Sequence, residues 1–114
     1  MQLDEYQRAA SRTLNPALTD SGRLLDGAAG LVEEAGEVLA HVRKHTFQQR
    51  SLDREGLAVE LGDALWCLAA VASSLGLSLG DIAGANLRKL AQRWPEGLPG
   101  GAGAPRGEDG MEGP

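Results

Sequence analysis

Two pairs of carboxylates carry the chemistry legible in this chain: Glu34 and Glu37 in LVEEAGEV, and Glu60 and Asp63 in VELGDALW. On a helix, three-residue spacing places the two acids of each pair side by side on one face. Like charges so placed destabilise an isolated helix by about 0.2–0.5 kcal/mol per pair. An arrangement used twice therefore calls for a counterion, and hard carboxylate oxygens suit a divalent cation.

The surroundings of the second pair sharpen this. Between Glu55 and Asp81 the only charged residues are Glu60 and Asp63, inside a run that is apolar on every face, the composition of a buried helix. Buried carboxylates are normally paired, protonated or bound to metal. The two pairs are also related by position. Their midpoints, 35.5 and 61.5, lie equally far from residue 48.5, within the polar stretch His45 to Ser51. If that stretch turns one long helix back on another, all four carboxylates meet at one level, about 20 Å from the turn at 1.5 Å rise per residue.

The elements that must position them read as helices, with no alternating stretch that marks a strand. A first helix is predicted from Gln2 to Leu14, ending before Asn15-Pro16 because a residue preceding proline is pushed out of the α region. Thr19 or Asp20 caps a second, with the stripe Leu24, Ala28, Leu31, Ala35, Val38 and Val42, and Glu34 and Glu37 at its edge. Ser51 caps a third that ends near Gly76. Ser78 with Asp81 resembles a capping box for a fourth, closed by Trp94-Pro95. The expected fold is all-α, an antiparallel bundle of about four helices. The third helix is too uniformly apolar for so small a chain to cover, so a homo-oligomer is expected.

The fourth helix carries complementary chemistry. Asn86, Lys89 and Arg93 follow one another along a face separate from its apolar stripe of Leu79, Ala83, Leu87, Leu90 and Trp94. Lys and Arg hold phosphate, and Asn binds a phosphate or a base edge. On the second helix, His41 and Lys44 continue the face begun by Glu34 and Glu37, which brings Lys44 within reach of an anionic substrate. Trp66, three residues beyond Asp63, divides between core packing and stacking on a nucleobase.

Composition bounds the rest. Residues 1–96 make one domain; residues 97–114 hold seven glycines and three prolines among eighteen residues and are expected to form a flexible tail. The net charge is −5, and no basic run tracks a nucleic-acid backbone, so no nucleic-acid polymer is expected as partner. The single cysteine, Cys67, lies in the apolar run, as a small hydrophobe of a reducing compartment. The longest charge-free stretch, Ala64 to Gly80, is broken by serines and a glycine, so no membrane partner is expected, and with no leader-like segment the expected location is cytoplasmic.

The order GLVEEAGEV, ELGDALWCL, NLRKLAQRWPEG resembles the MazG-like nucleoside triphosphate pyrophosphohydrolases, all-α enzymes with ExxE, a spacer, then ExxD. Here the spacer is the 22 residues from Val38 to Val59. The resemblance implies that Glu34, Glu37, Glu60 and Asp63 bind Mg²⁺, with Mn²⁺ as substitute, and that Asn86 and Lys89 belong to the substrate-binding helix. It also implies dimers or tetramers with sites at subunit interfaces. The expected reaction cleaves a nucleoside triphosphate to its monophosphate and pyrophosphate, as nucleotide-pool house-cleaning. Lys89, Arg93 and Lys44 would steady phosphate charge, and Glu34 would take the proton of the attacking water. Glu33 points about 100° away from Glu34 on an ideal helix and is left outside the set. A di-iron bundle would need Glu-x-x-His pairs, whereas the partners here are Glu37 and Asp63. The alternative is a non-catalytic oligomeric binding or regulatory module with the same fold and acids, which pyrophosphate release from a nucleotide panel would distinguish.

Overall fold

A computed structural model describes residues 1–100, so most of the expected tail lies outside the described residues. Among these residues there are four helices and no strand: α1 (Leu3–Ser11), α2 (Asp20–Phe47), α3 (Arg54–Ser74) and α4 (Leu79–Arg93). Residues 1–80 form one compact unit, and most of α4 belongs to a second that begins at Asp81.

α1 stops three residues before the expected Leu14. Its hydroxyls explain the early end: Ser11 Oγ donates to the Arg8 carbonyl (2.6 Å) and Thr13 Oγ1 to the Ala10 carbonyl (2.7 Å), competing with the helical ladder. The chain then tightens into three-residue turns, Thr13 N–H to Ala10 and Leu14 N–H to Ser11. The expected cap of α2 is present, Thr19 Oγ1 accepting from the Gly22 N–H at 3.1 Å.

The turn between α2 and α3 is shorter than expected at its start and longer at its end. α2 continues through Phe47; Gln49 then takes the left-handed conformation (φ 53°), and His45 Nδ1 donates to the Arg50 carbonyl at 2.7 Å. The cap of α3 is therefore Asp53, whose Oδ1 accepts from the Gly56 N–H at 2.9 Å, and not Ser51. At its other end α3 closes as expected around Gly76. With φ of 68°, Gly76 donates to Ser73 while Leu77 donates back to Ala72 at 2.8 Å, the Schellman arrangement.

α2 and α3 lie antiparallel, and small residues set how closely. A side chain at Gly30 would stand 2.9 Å from Cys67 Sγ, and one at Gly27 would stand 3.1 Å from Val71 and 3.4 Å from Ala70. The pairs Gly30–Cys67 and His41–Gly56 both centre on 48.5, the register inferred from the carboxylates. The buried residues are correspondingly small: Cys67, Ala69, Ala70 and Ala72, with Leu79, against which Tyr6 packs. This rotates α2 relative to the expected stripe. Leu24, Leu31 and Val38 are half-buried, but Ala28, Ala35 and Val42 are exposed, and Gly27, Gly30, Glu34 and His41 take their places.

α1 packs on α3 and reaches beyond it. Asp4 Oδ1 accepts from the Ser78 hydroxyl and the Gly80 N–H, both at 2.8 Å. Gln7 accepts from the Leu79 N–H (2.7 Å) and donates to the Leu77 carbonyl (2.8 Å) and Ser73 Oγ (3.1 Å). Thus the N–H groups of Leu79 and Gly80 that open α4, otherwise without helical partners, are met by Gln7 and Asp4 of α1, and the Ser78 hydroxyl is held by Asp4 as well.

Large apolar side chains stay outside this packing. Leu25, Val32 and Leu39 of α2 and Val59, Leu61 and Leu68 of α3 are all exposed. By length and composition α3 is also apolar enough to cross a membrane. Those features belong equally to a core helix of a helical assembly, with α2 and α1 already on two of its sides.

Candidate functional site

α2 and α3 bring together three of the four expected carboxylates. Glu34, Glu60 and Asp63 each offer an oxygen, and the three oxygens lie within 4.8 Å of one another. The antiparallel register makes this meeting possible: Glu34 lies one turn beyond Gly30, and Asp63 one turn before Cys67, a tight contact between the two helices. Glu37 is exposed and stands outside the group, contrary to the expectation that all four converge. The rotation of α2 toward its glycine face turns Glu34 inward and Glu37 outward.

The electrostatics of the group reflect its crowding. Glu34 Oε2 is buried and has no hydrogen-bond partner. The Glu34 carboxyl is pushed up to about 7, first by sharing a hydrogen bond with Glu60, then by burial, then by the charges of Glu60, Asp63 and Glu37. Cys67 is buried beside them, and burial, followed by the negative charge of Glu34 and Asp63, raises its thiol. Two observations fit a cation here: converging hard oxygens and a buried acceptor that no protein donor satisfies.

The remaining expected site residues divide by element. Trp66 lies beside α1, lining the seam with Ala10, Ser11 and Leu14, and its indole N–H donates to Thr13 Oγ1 at 2.7 Å. The packing half of its two expected roles is therefore occupied by α1, for the physical reason that the indole's apolar body and polar tip both find partners there. Asn86, Lys89 and Arg93 are exposed on α4. Lys44 is exposed near the α2–α3 turn and borders a small cavity with His41, Arg50, Ser51 and Asp53. Spacing within the sequence did not reveal Asp4 and Gln7 as partners of residues 73–80, nor Thr13 as partner of Trp66; these contacts span 53 to 76 residues, and a polar residue in a short helix carries no signal of so distant a partner.

An all-helical chain whose antiparallel helix pair converges three acids defines a helical carboxylate-site protein. The chain belongs to the MazG nucleotide pyrophosphohydrolase family, whose domain it matches over residues 25–98. It is similar to the Gene 37 protein of Mycobacterium phage L5, 35% identical over 112 residues, covering 90% of this chain and 97% of the phage protein. No solved structure matches it.

Proposed function

We propose that the protein is a divalent-metal-dependent nucleoside triphosphate pyrophosphohydrolase, converting an NTP or dNTP and water to the monophosphate and pyrophosphate. The observation that supports this reading best is the convergence of Glu34, Glu60 and Asp63, with one Glu34 oxygen buried and unsatisfied, in a chain of this family. Those three carboxylates, with Glu37 at their margin, would hold Mg²⁺ or Mn²⁺. Such an ion, when bound, supplies charge neutralisation for the phosphates and acidifies water.

The chain's own residues account for the rest. Water oxygen bonds to the α phosphorus, the bond from that phosphorus to the α–β bridging oxygen breaks, and pyrophosphate leaves with the electron pair. Glu34, at the edge of the carboxylate group, takes the proton of the attacking water. Lys89 and Arg93 offset phosphate charge, and Asn86 meets a phosphate or base edge. The exposed apolar faces of α2 and α3 support a homo-oligomer, and the reading places the enzyme in nucleotide-pool house-cleaning in the cytoplasm.

The test is pyrophosphate release from a panel of ribo- and deoxyribonucleoside triphosphates, ordinary and base-modified, with and without Mg²⁺ or Mn²⁺. Metal-dependent release from at least one nucleotide is expected. No release from any of them with either ion would refute the catalytic reading in favour of a binding module.

A further inference from the structure

The end of the α2–α3 hairpin is the cationic pole of an otherwise acidic chain. From Val38 to Arg54 stand four cations, Arg43, Lys44, Arg50 and Arg54, against the single acid Asp53, together with both histidines, whereas the whole chain carries −5. A cavity of about 240 Å³ opens there between His41, Lys44, Arg50, Ser51 and Asp53.

The pocket's charges are not spent internally. Asp53, its one acid, accepts from the Gly56 N–H as the cap of α3. Neither the Lys44 ammonium nor the Arg50 guanidinium has a carboxylate partner among the described residues. The Arg50 backbone is fixed by the His45 Nδ1 hydrogen bond to its carbonyl and by the left-handed turn at Gln49. Two free cations and a hydroxyl on one fixed concavity form a receptor for a polyanion, since a phosphate oxygen is the acceptor that Lys and Arg hold best.

The pocket also lies on the right helix for the carboxylate group. His41 and Lys44 follow Glu34 by seven and ten residues, about 10 and 15 Å along α2 at 1.5 Å per residue. Helical Cα–Cβ bonds tilt toward the N-terminus, which for Lys44 is the direction in which Glu34 lies along α2.

We propose that the hairpin pocket of His41, Lys44, Arg50 and Ser51 is a metal-independent subsite for the distal phosphates of the substrate, the part that leaves as pyrophosphate. The assignment of those phosphates to a substrate rests on the catalytic reading above; the anion subsite itself does not.

Calorimetric titration of the full chain with inorganic tripolyphosphate, in EDTA at low salt, tests it. Wild type should bind, Lys44→Ala/Arg50→Ala should lose at least tenfold in affinity, and Lys44→Arg/Arg50→Lys should retain binding. Glu60→Gln/Asp63→Asn should bind as well as wild type or better. Both cations are exposed, so the variants should melt as wild type does, and the charge-retaining pair controls for any that does not. Equal affinity of wild type and the double alanine variant would overturn the subsite. In turnover, the alanine pair should raise KM for the triphosphate about tenfold or more and weaken inhibition by pyrophosphate in parallel, with inhibition by the monophosphate unaltered. Should no nucleotide be hydrolysed while tripolyphosphate binding still depends on Lys44 and Arg50, the subsite stands and the catalytic reading fails. A DNA duplex that binds through the same two residues more tightly than tripolyphosphate would overturn the assignment to substrate.

Discussion

Replacing Gly30 by Ala probes the contact on which the carboxylate group depends. The new methyl would lie 2.9 Å from Cys67 Sγ, well inside the ordinary separation of about 3.5–4 Å between packed heavy atoms. Forcing such a methyl into a packed seam costs about 1–3 kcal/mol. Replacing a helical glycine by alanine returns about 0.8–1 kcal/mol. The expected net is a loss of about 1 kcal/mol, or a Tm lower by about 4–8 °C for a unit of this size. Cys67→Ala alone should cost a similar amount, about 0.8 kcal/mol for the buried group removed plus a small cavity. In Gly30→Ala/Cys67→Ala the new methyl occupies the space the sulfur leaves, so the double variant should be more stable than additivity allows by about 1–2 kcal/mol. Because Glu34 and Asp63 are each one turn from this contact, the wedge should also displace the acids: the rise in Tm expected on adding Mg²⁺ under the proposed function should shrink in Gly30→Ala and return in the double variant. Urea and thermal melts of the four proteins, with and without Mg²⁺, give both readouts. Additivity within about 0.5 kcal/mol would show that α2 and α3 do not meet at this contact.

Three further outcomes follow from the site. Glu60→Gln should lower kcat/KM by about a hundredfold or more while leaving the metal-free Tm equal or higher, since it removes a like charge; steady-state kinetics and a melt in EDTA check both halves. The raised Glu34 carboxyl means the folded state holds its proton more tightly than the unfolded chain does. Its stabilising contribution is complete below the ordinary value of 4.5 and is lost as pH rises toward about 7, so metal-free Tm should fall across that interval and Glu34→Gln should flatten the slope. A slope unchanged in Glu34→Gln would assign the proton uptake elsewhere. Lys89→Ala should reduce kcat/KM by about one to three orders of magnitude, the scale of one charged contact of roughly 1.5–4 kcal/mol, with Tm almost unaltered because the side chain is exposed on α4; normal turnover would remove Lys89 from the substrate contacts.

The features legible in the sequence are those that local chemistry decides. Thr19 caps α2 because a hydroxyl three residues before an N–H satisfies it wherever the helix packs, and Gly76 ends α3 because a positive φ is easiest for glycine. The hairpin register was legible too, since two acid pairs equidistant from a polar turn leave an antiparallel pair one way to align. The family follows from the same residues in the same order. What only the tertiary structure decided is rotation and distant partnership. α3 is apolar on every side, so periodicity says nothing of which face meets α2; the choice fell to the small residues Gly27, Gly30, Cys67 and Ala70, whose close approach turned Glu34 inward and left Glu37 in solvent. Trp66 found Thr13, and Asp4 found Gly80, across intervals of 53 and 76 residues, because a hydrogen bond depends on where folding brings donor and acceptor and leaves no periodic trace in the chain.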